Sequence, residues 1–369
     1  MRSIDKFRGC LIGGAAGDAL GYAVEFLREP QIFSRYGENG ITEYALKNGI
    51  AEISDDTQMT LFTANGLLLG TTRGMTRGVG GCSPYYVGLC YKDWYRTQTE
   101  EYPVGDKDYC SWLLNIPKLF SRCAPGMTCL SAIEHGANGS VGNPVNSSKG
   151  CGGVMRVAPI GLYFCDKNAD DDSVDMFGAE VAAITHGHEL GYIPAAALVH
   201  IIKAVSENEN ISLKEAVIES VSAMQRLFSN AHHIEDFTAL MNKAITLAFS
   251  DVDDLSAIHQ LGEGWVAEET LAIAVFCALR YEDDFDKALT VSVNHNGDSD
   301  STGAVTGNIL GVCIGYNAIP QKYKQNLELH DIILEVADDL YNDCKIGEYR
   351  PYEDEVWESK YIHMTYPNI

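Results

Sequence analysis

The sequence predicts an all-α protein: a single compact multi-helix domain with a binuclear metal site in a central cleft. Three observations carry that expectation. Apolar residues recur at helical spacing along most of the chain, and alternating strand-like runs are scarce. Two short acidic clusters, Ser54-Asp55-Asp56-Thr57 and Gly297-Asp298-Ser299-Asp300-Ser301-Thr302, lie far apart, and each leads at once into an apolar, helix-like run. No linker, low-complexity segment or internal repeat divides the 369 residues, so 1–369 reads as one domain.

In chain order, periodicity predicts helices over about 5–22, 56–69, 85–97, 174–185, 191–207, 213–229, 233–249, 266–281, 284–294, 301–315 and 329–343. In the first, Gly13-Gly14-Ala15-Ala16-Gly17-Asp18-Ala19-Leu20-Gly21 sets small residues where another backbone can approach closely. Ile41–Tyr44 carries an isolated strand signal. Residues 70–84 are Gly-rich and read as a mobile loop; 135–153, rich in Gly, Asn and Ser, read as a second loop. The run Ala195 to Ile202 is helix rather than strand by its length and alanine content.

The formal net charge of −24 would repel phosphate backbones and anionic membranes, so neither nucleic acid nor membrane is an expected partner. The 11 cysteines include no CxxC pair and cannot all be paired, which argues against a disulfide framework or a cysteine-rich zinc site and for a reducing cytoplasm. Arg2, Lys6 and Arg8 ahead of an apolar stretch resemble a signal peptide, but Asp5 interrupts the basic region and the stretch is Gly-rich and stops at Asp18. No window approaches the ~20 apolar residues of a membrane helix. The expected location is cytoplasmic.

The acidic clusters carry the chemistry. Each offers two carboxylates and neighbouring hydroxyls, the oxygen donors that hard divalent cations select. Either cluster alone is more simply an N-cap for the helix after it. The second also begins like a calcium loop, with Asp298, Asp300 and Gly303 at positions 1, 3 and 6, but position 12 is Ile309 instead of glutamate, which excludes an EF-hand. Ser148-Lys149-Gly150-Cys151-Gly152-Gly153 can turn consecutive amides toward an anion, although it is not a Walker A loop and a plain connection is the simpler reading. Glu25 can reach a site beyond the first helix. His186 and His188, two apart, do not share a helix face; a hydrogen bond to a ligand or helix end suits them better than a shared metal.

These segments resemble the ADP-ribosylglycohydrolase family, which includes the dinitrogenase-reductase-activating glycohydrolases and the ADP-ribosylarginine and ADP-ribosylserine hydrolases. The matching segments are Gly9 to Gly21, Ser54 to Thr57, Gly150-Cys151-Gly152-Gly153-Val154-Met155-Arg156, Thr185-His186 and Asn294 to Gly303. They span about 8–320 in family order, leaving 321–369 as a C-terminal helix and tail packed on the domain. The resemblance implies an all-α fold with two divalent ions, Mg²⁺ (or Mn²⁺). Ser54, Asp55 and Asp56 match the first ligand set, and Asp298, Asp300 and Ser301 the second. Glu25, with Asp55 and Asp300, is implied in catalysis: it matches the glutamate that gates the cleft or contacts the attacking water in some relatives. Ser148, Lys149, Gly150, Cys151, Gly152, Gly153 and His186 match positions lining the ADP-ribose pocket, and Glu269 a position behind the ligands. Lys149 departs from relatives that stack an aromatic on adenine there. A further acidic residue would fall at Asp93, Asp106 or Asp108.

The implied reaction is metal-dependent hydrolysis of the bond between ADP-ribose and a modified side chain, arginine first, with serine or a small molecule as alternatives. The partner is then an ADP-ribosylated protein or an ADP-ribose-containing small molecule. A catalytically silent ADP-ribose-binding protein on the same scaffold is the competing class.

Overall fold

The computed structural model describes residues 2–78, 81–105, 108–347 and 354–366. Among them the chain forms α1 (Ile4–Tyr22), α2 (Glu29–Tyr36), α3 (Asp55–Arg77), α4 (Pro84–Thr99), α5 (Met127–Glu134) and α6 (Ala158–Phe164). There follow α7 (Asp171–Ala183), α8 (Glu189–Glu207), α9 (Leu213–Leu227), α10 (Ile234–Ala248), α11 (Asp254–Leu261) and α12 (Ala267–Arg280). Last come α13 (Phe285–Val293), α14 (Ser299–Ile314), α15 (Gln321–Lys324), α16 (His330–Asn342) and α17 (Glu355–Tyr361). One continuous apolar core runs through these helices, from Phe7 on α1 to Tyr361 on α17.

The centre of the fold is the crossing of α1 and α14. A β-carbon at Gly9, Gly13, Gly17 or Gly21 would collide with the backbone of Gly311–Gly315, Gly307, Gly303 or Ser299 respectively. The four-residue spacing puts these glycines on one face of α1, and Gly303, Gly307 and Gly311 answer on one face of α14. The two axes therefore pack backbone to backbone and antiparallel, which sets the end of α1 against the start of α14. Every residue from Gly9 to Gly21 of α1 and from Ser299 to Val312 of α14 is buried. α8 is the one described helix long and apolar enough to cross a membrane; it is packed inside the core.

The structure corrects three expectations. Residues 70–77 are helix, not loop: α3 continues to Arg77, and Gly78, with φ at +61°, ends it. A β-carbon at Gly70 would lie 2.9 Å from the Tyr86 ring and 3.1 Å from Cys82 Cα, so this glycine serves packing against α4 and not flexibility. Ile41–Tyr44 forms no strand. The side-chain amide of Asn294 takes the place of a strand partner, accepting from Ile41 N at 2.7 Å and donating to Ile41 O at 2.8 Å. Helices α2, α5, α6, α11, α15 and α17, of 8, 8, 7, 8, 4 and 7 residues, were not anticipated; two turns or fewer show too little periodicity to read.

Candidate functional site

Both acidic clusters are N-terminal first turns, and both do cap. Ser54 Oγ accepts from Asp56 N at 3.2 Å, and Asp298 Oδ1 accepts from Ser301 N at 3.2 Å. Capping does not exhaust them, because α3 and α14 start at the same place. A cleft of about 240 Å³ is lined by Glu25, Asp55, Asp56, Asp298, Asp300 and Ser301 together with Gly150, Cys151, Gly152 and His186. Residues about 240 apart in sequence thus face one cavity, as the paired motifs require.

Asp18 joins the two halves. It is fully buried on α1, and its carboxylate accepts from Ser54 N at 2.9 Å, Thr57 N at 3.1 Å and the Thr57 hydroxyl. It therefore fixes the start of α3 against the helix that is locked to α14. The second cluster is tied differently. Asp298 N donates to Glu263 O at 2.9 Å, and the Glu263–Gly264 turn is held by Glu269, which accepts from both amides at 2.9 and 3.2 Å. Gly297, at φ +117°, meets the Glu263 backbone so closely that no side chain fits there.

The cleft is electrostatically loaded. Burial first, then Asp18 and Asp298, push the Asp55 carboxyl up to about 8. Burial, then Asp298 and Asp55, push Glu25 up to about 9. Asp56 and Asp300 are driven well above the usual carboxylate range by burial and by their acidic neighbours. Asp56 Oδ2 and Glu25 Oε2 are buried without a hydrogen-bond partner. Like charges gathered out of water, with unpartnered oxygens and an all-oxygen donor set, fit hard divalent cations. Asp55, Asp56, Asp298 and Asp300, with the Ser301 hydroxyl, are the side chains that would hold such ions. A group of three potential ligands all within 4.8 Å of one another stands elsewhere, at Cys165, Asp166 and Glu207. Its carboxylates are already engaged by Arg2 N at 3.0 Å, Asp166 N at 2.9 Å and Lys203 Nζ at 2.8 Å.

The Gly-rich part of the lining is built around His186. Burial and the nearby Arg156 hold its imidazole down to about 3, so it is neutral at physiological pH. Its Nδ1 lies 2.8 Å from Thr185 Oγ1, which accepts from Arg156 Nη2 at 2.6 Å. Its ring lies against the loop: a β-carbon on Gly152 would lie 2.9 Å from His186 Cε1 and 2.8 Å from Cys129 Sγ.

Not every anticipated residue faces the cleft. Ser54 is fully buried and is not part of the cleft lining; its hydroxyl accepts from Asp56 N in the cap. Ser148 shapes the loop from outside, accepting from Gly150 N at 3.3 Å. Lys149 pairs with Glu268, and Gly153 packs against the Gly191 backbone. Asp93 accepts from Cys110 N at 2.7 Å away from the cleft, Asp108 is exposed, and Asp106 lies outside the described residues. Sequence reasoning gave no role to Asp18, Arg156 or Trp265. The signal for Asp18 was present: a charged residue inside an apolar, Gly-rich helix is almost never buried without partners.

The fold and cleft define an all-helical protein that sets a carboxylate cluster beside a Gly-rich loop. The chain belongs to the ADP-ribosylglycohydrolase family, whose model matches residues 1–348. It is similar to ADP-ribosylhydrolase ARH3 of Danio rerio, 25% identical over 370 residues covering 92% of this chain and 90% of the relative. The Homo sapiens ARH3 is 25% identical over 363 residues, covering 89% and 90%. The ADP-ribosyl-[dinitrogen reductase] glycohydrolase of Rhodospirillum rubrum is 24% identical over 334 residues, covering 88% and 91%. A solved ADP-ribosylglycohydrolase-related protein complex has the same fold, with a TM-score of 0.59 at 22% identity over 92% of this chain and 98% of that one.

Proposed function

We propose that this protein is a divalent-metal-dependent hydrolase that releases ADP-ribose from a modified side chain, with arginine as the linkage. The observation that supports this reading above the others is the meeting of both acidic clusters in one cleft with the Gly150–Gly152 loop and His186. Family membership points to the same substrate, and the names of the relatives from Danio rerio and Rhodospirillum rubrum are those of ADP-ribose hydrolases.

Water must form a bond to C1 of ribose while the bond from C1 to the side-chain nitrogen breaks, and a proton must end on that nitrogen. Asp55, Asp56, Asp298 and Asp300 would hold divalent cations, which would supply Lewis acidity and neutralise the cluster. Glu25 Oε2, buried and unpartnered at the same end, is the atom placed to give or take a proton beside C1. Gly150 N and Cys151 N already donate to Ser148 Oγ and Trp265 O, so the Gly152 amide and the neutral His186 ring are the groups left to meet phosphate and ribose oxygens and keep the substrate in register. The test is release of ADP-ribose from arginine- and serine-modified peptides with and without Mg²⁺ or Mn²⁺. Absence of release from either linkage sinks this proposal, and ADP-ribose binding retained under those conditions favours a silent binding protein.

A further inference from the structure

Two large aromatic side chains stand in solvent at the mouth of the cleft. Phe26 is 72% exposed and Trp265 is 41% exposed. Their rings are close to parallel, 25° apart, with centroids separated by 6.5 Å. Trp265 is the exception among the tryptophans, since Trp94, Trp112 and Trp357 are all buried. Phe26 belongs to the carboxylate end, and Trp265 joins that end to the Gly-rich loop, its carbonyl accepting from Cys151 N at 3.2 Å. Phe26 follows Glu25, whose carboxyl feels Asp298 and Asp55. Trp265 lines the cleft and follows Gly264, which packs against Asp298. The exposed Met127, also part of the cleft lining, adds a third soft, polarisable surface.

We infer that the Phe26–Trp265 pair is the subsite for the group leaving C1 of ribose, and that it favours a planar cation, the guanidinium of arginine, over an alcohol. This rests on the hydrolase reading above. If the carboxylate end holds the reacting ribose, the leaving group must exit beside Glu25, where these rings stand. An aromatic face attracts a cation, and a guanidinium stacks flat on it because it is planar and weakly hydrated. A serine hydroxyl brings neither plane nor charge. The surroundings are acidic as well: Glu263 is half exposed beside the shelf, and its ion pair with Arg28 at 3.6 Å is an exposed one that an incoming guanidinium can exchange. Adenine also stacks, but in an extended ADP-ribose it is separated from the reacting ribose by the pyrophosphate and a second ribose.

The experiment compares Trp265→Ala with wild type on arginine- and serine-linked ADP-ribosyl peptides, together with calorimetric binding of free ADP-ribose. The expected result is a roughly tenfold rise in KM for the arginine linkage and a matching fall in the arginine-over-serine ratio of kcat/KM. The ADP-ribose affinity should shift by much less, about twofold at most. Trp265→Phe should recover most of the preference, and Phe26→Ala should reproduce the loss at a second position. Equal losses on both linkages overturn the inference. A parallel tenfold loss of ADP-ribose affinity also overturns it and assigns the rings to adenine. If the wild type releases neither linkage, the hydrolase reading has failed, and binding decides the shelf: ADP-ribosylarginine must bind more tightly than ADP-ribose to the wild type but not to Trp265→Ala.

Discussion

At the scale of single residues, the cleft is a set of buried charges whose partners define their roles. Asp300→Asn keeps the size of the side chain but removes one anionic donor, so metal-stimulated release of ADP-ribose should fall more than about 100-fold. Its melting temperature without metal should match or exceed wild type, because one repulsive carboxylate is gone; thermal scans with chelator check this. Asp18→Asn exchanges an acceptor of three hydrogen bonds for a group that turns a donor toward donors. A loss of about 2–3 kcal/mol in denaturant unfolding is expected, with metal affinity weakened about 10–100-fold. His186 titrates far below its unfolded counterpart, about 3 against 6.5. Between those values the unfolded chain binds a proton that the folded chain refuses, so this residue makes stability fall as pH drops from 6.5 toward 3. His186→Gln should show a shallower decline over that window, and parallel Tm–pH curves would refute the assignment.

At the scale of elements, function depends on two backbone approaches. Gly17→Ala puts a methyl group into Gly303 on α14. Helix α1 cannot yield locally, since Gly9, Gly13 and Gly21 share the same contact, so a loss of about 3 kcal/mol or more is expected. Residual folded protein should bind metal poorly, because the start of α14 moves with the crossing. Gly152→Val fills the space between the loop and the Cys129 and His186 side chains. ADP-ribose affinity should fall at least about tenfold while the helical signal persists, since only the close approach is lost; unchanged affinity by calorimetry would reduce the loop to a connection. The same contacts explain what was legible. Long helices such as α8 and α9 announced themselves by period, and the small residues of α1 announced a close crossing. The partner in that crossing did not show, because a stripe of glycines says how near a neighbour comes and not which neighbour it is.

At the scale of the molecule, the proposed metal site should tie the stability of this acidic protein to cations. In the metal-free state Asp55 and Glu25 titrate near 8 and 9, above their ordinary values of 3.8 and 4.5. The folded state then holds protons that the unfolded chain has lost, so this contribution to stability is complete below about pH 4 and disappears as pH rises through 8 and 9. Metal-free protein should therefore lose stability between pH 5 and pH 9. Mg²⁺ should raise the melting temperature more at pH 8 than at pH 5, with a stabilisation of about 2.7 kcal/mol when free ion reaches 100 times its Kd. An equal Mg²⁺ shift at both pH values would show that the cation does not bind the carboxylate cluster.

The sequence by itself determined the all-α class, the long helices and both acidic turns, because period and capping chemistry are local properties that a few consecutive residues express. The family resemblance also grouped Gly150, Cys151, Gly152 and His186, which line one cleft. Only the tertiary structure decided that Asp18 anchors the first acidic turn, and that Ser54, Ser148, Lys149 and Gly153 are not part of the cleft lining. It likewise decided that Trp265 and Phe26 meet at the mouth. Each of these depends on which helix faces which, and that is set by the backbone contact of α1 with α14 and by burial around it, a relation between residues nearly 300 positions apart that no local pattern encodes.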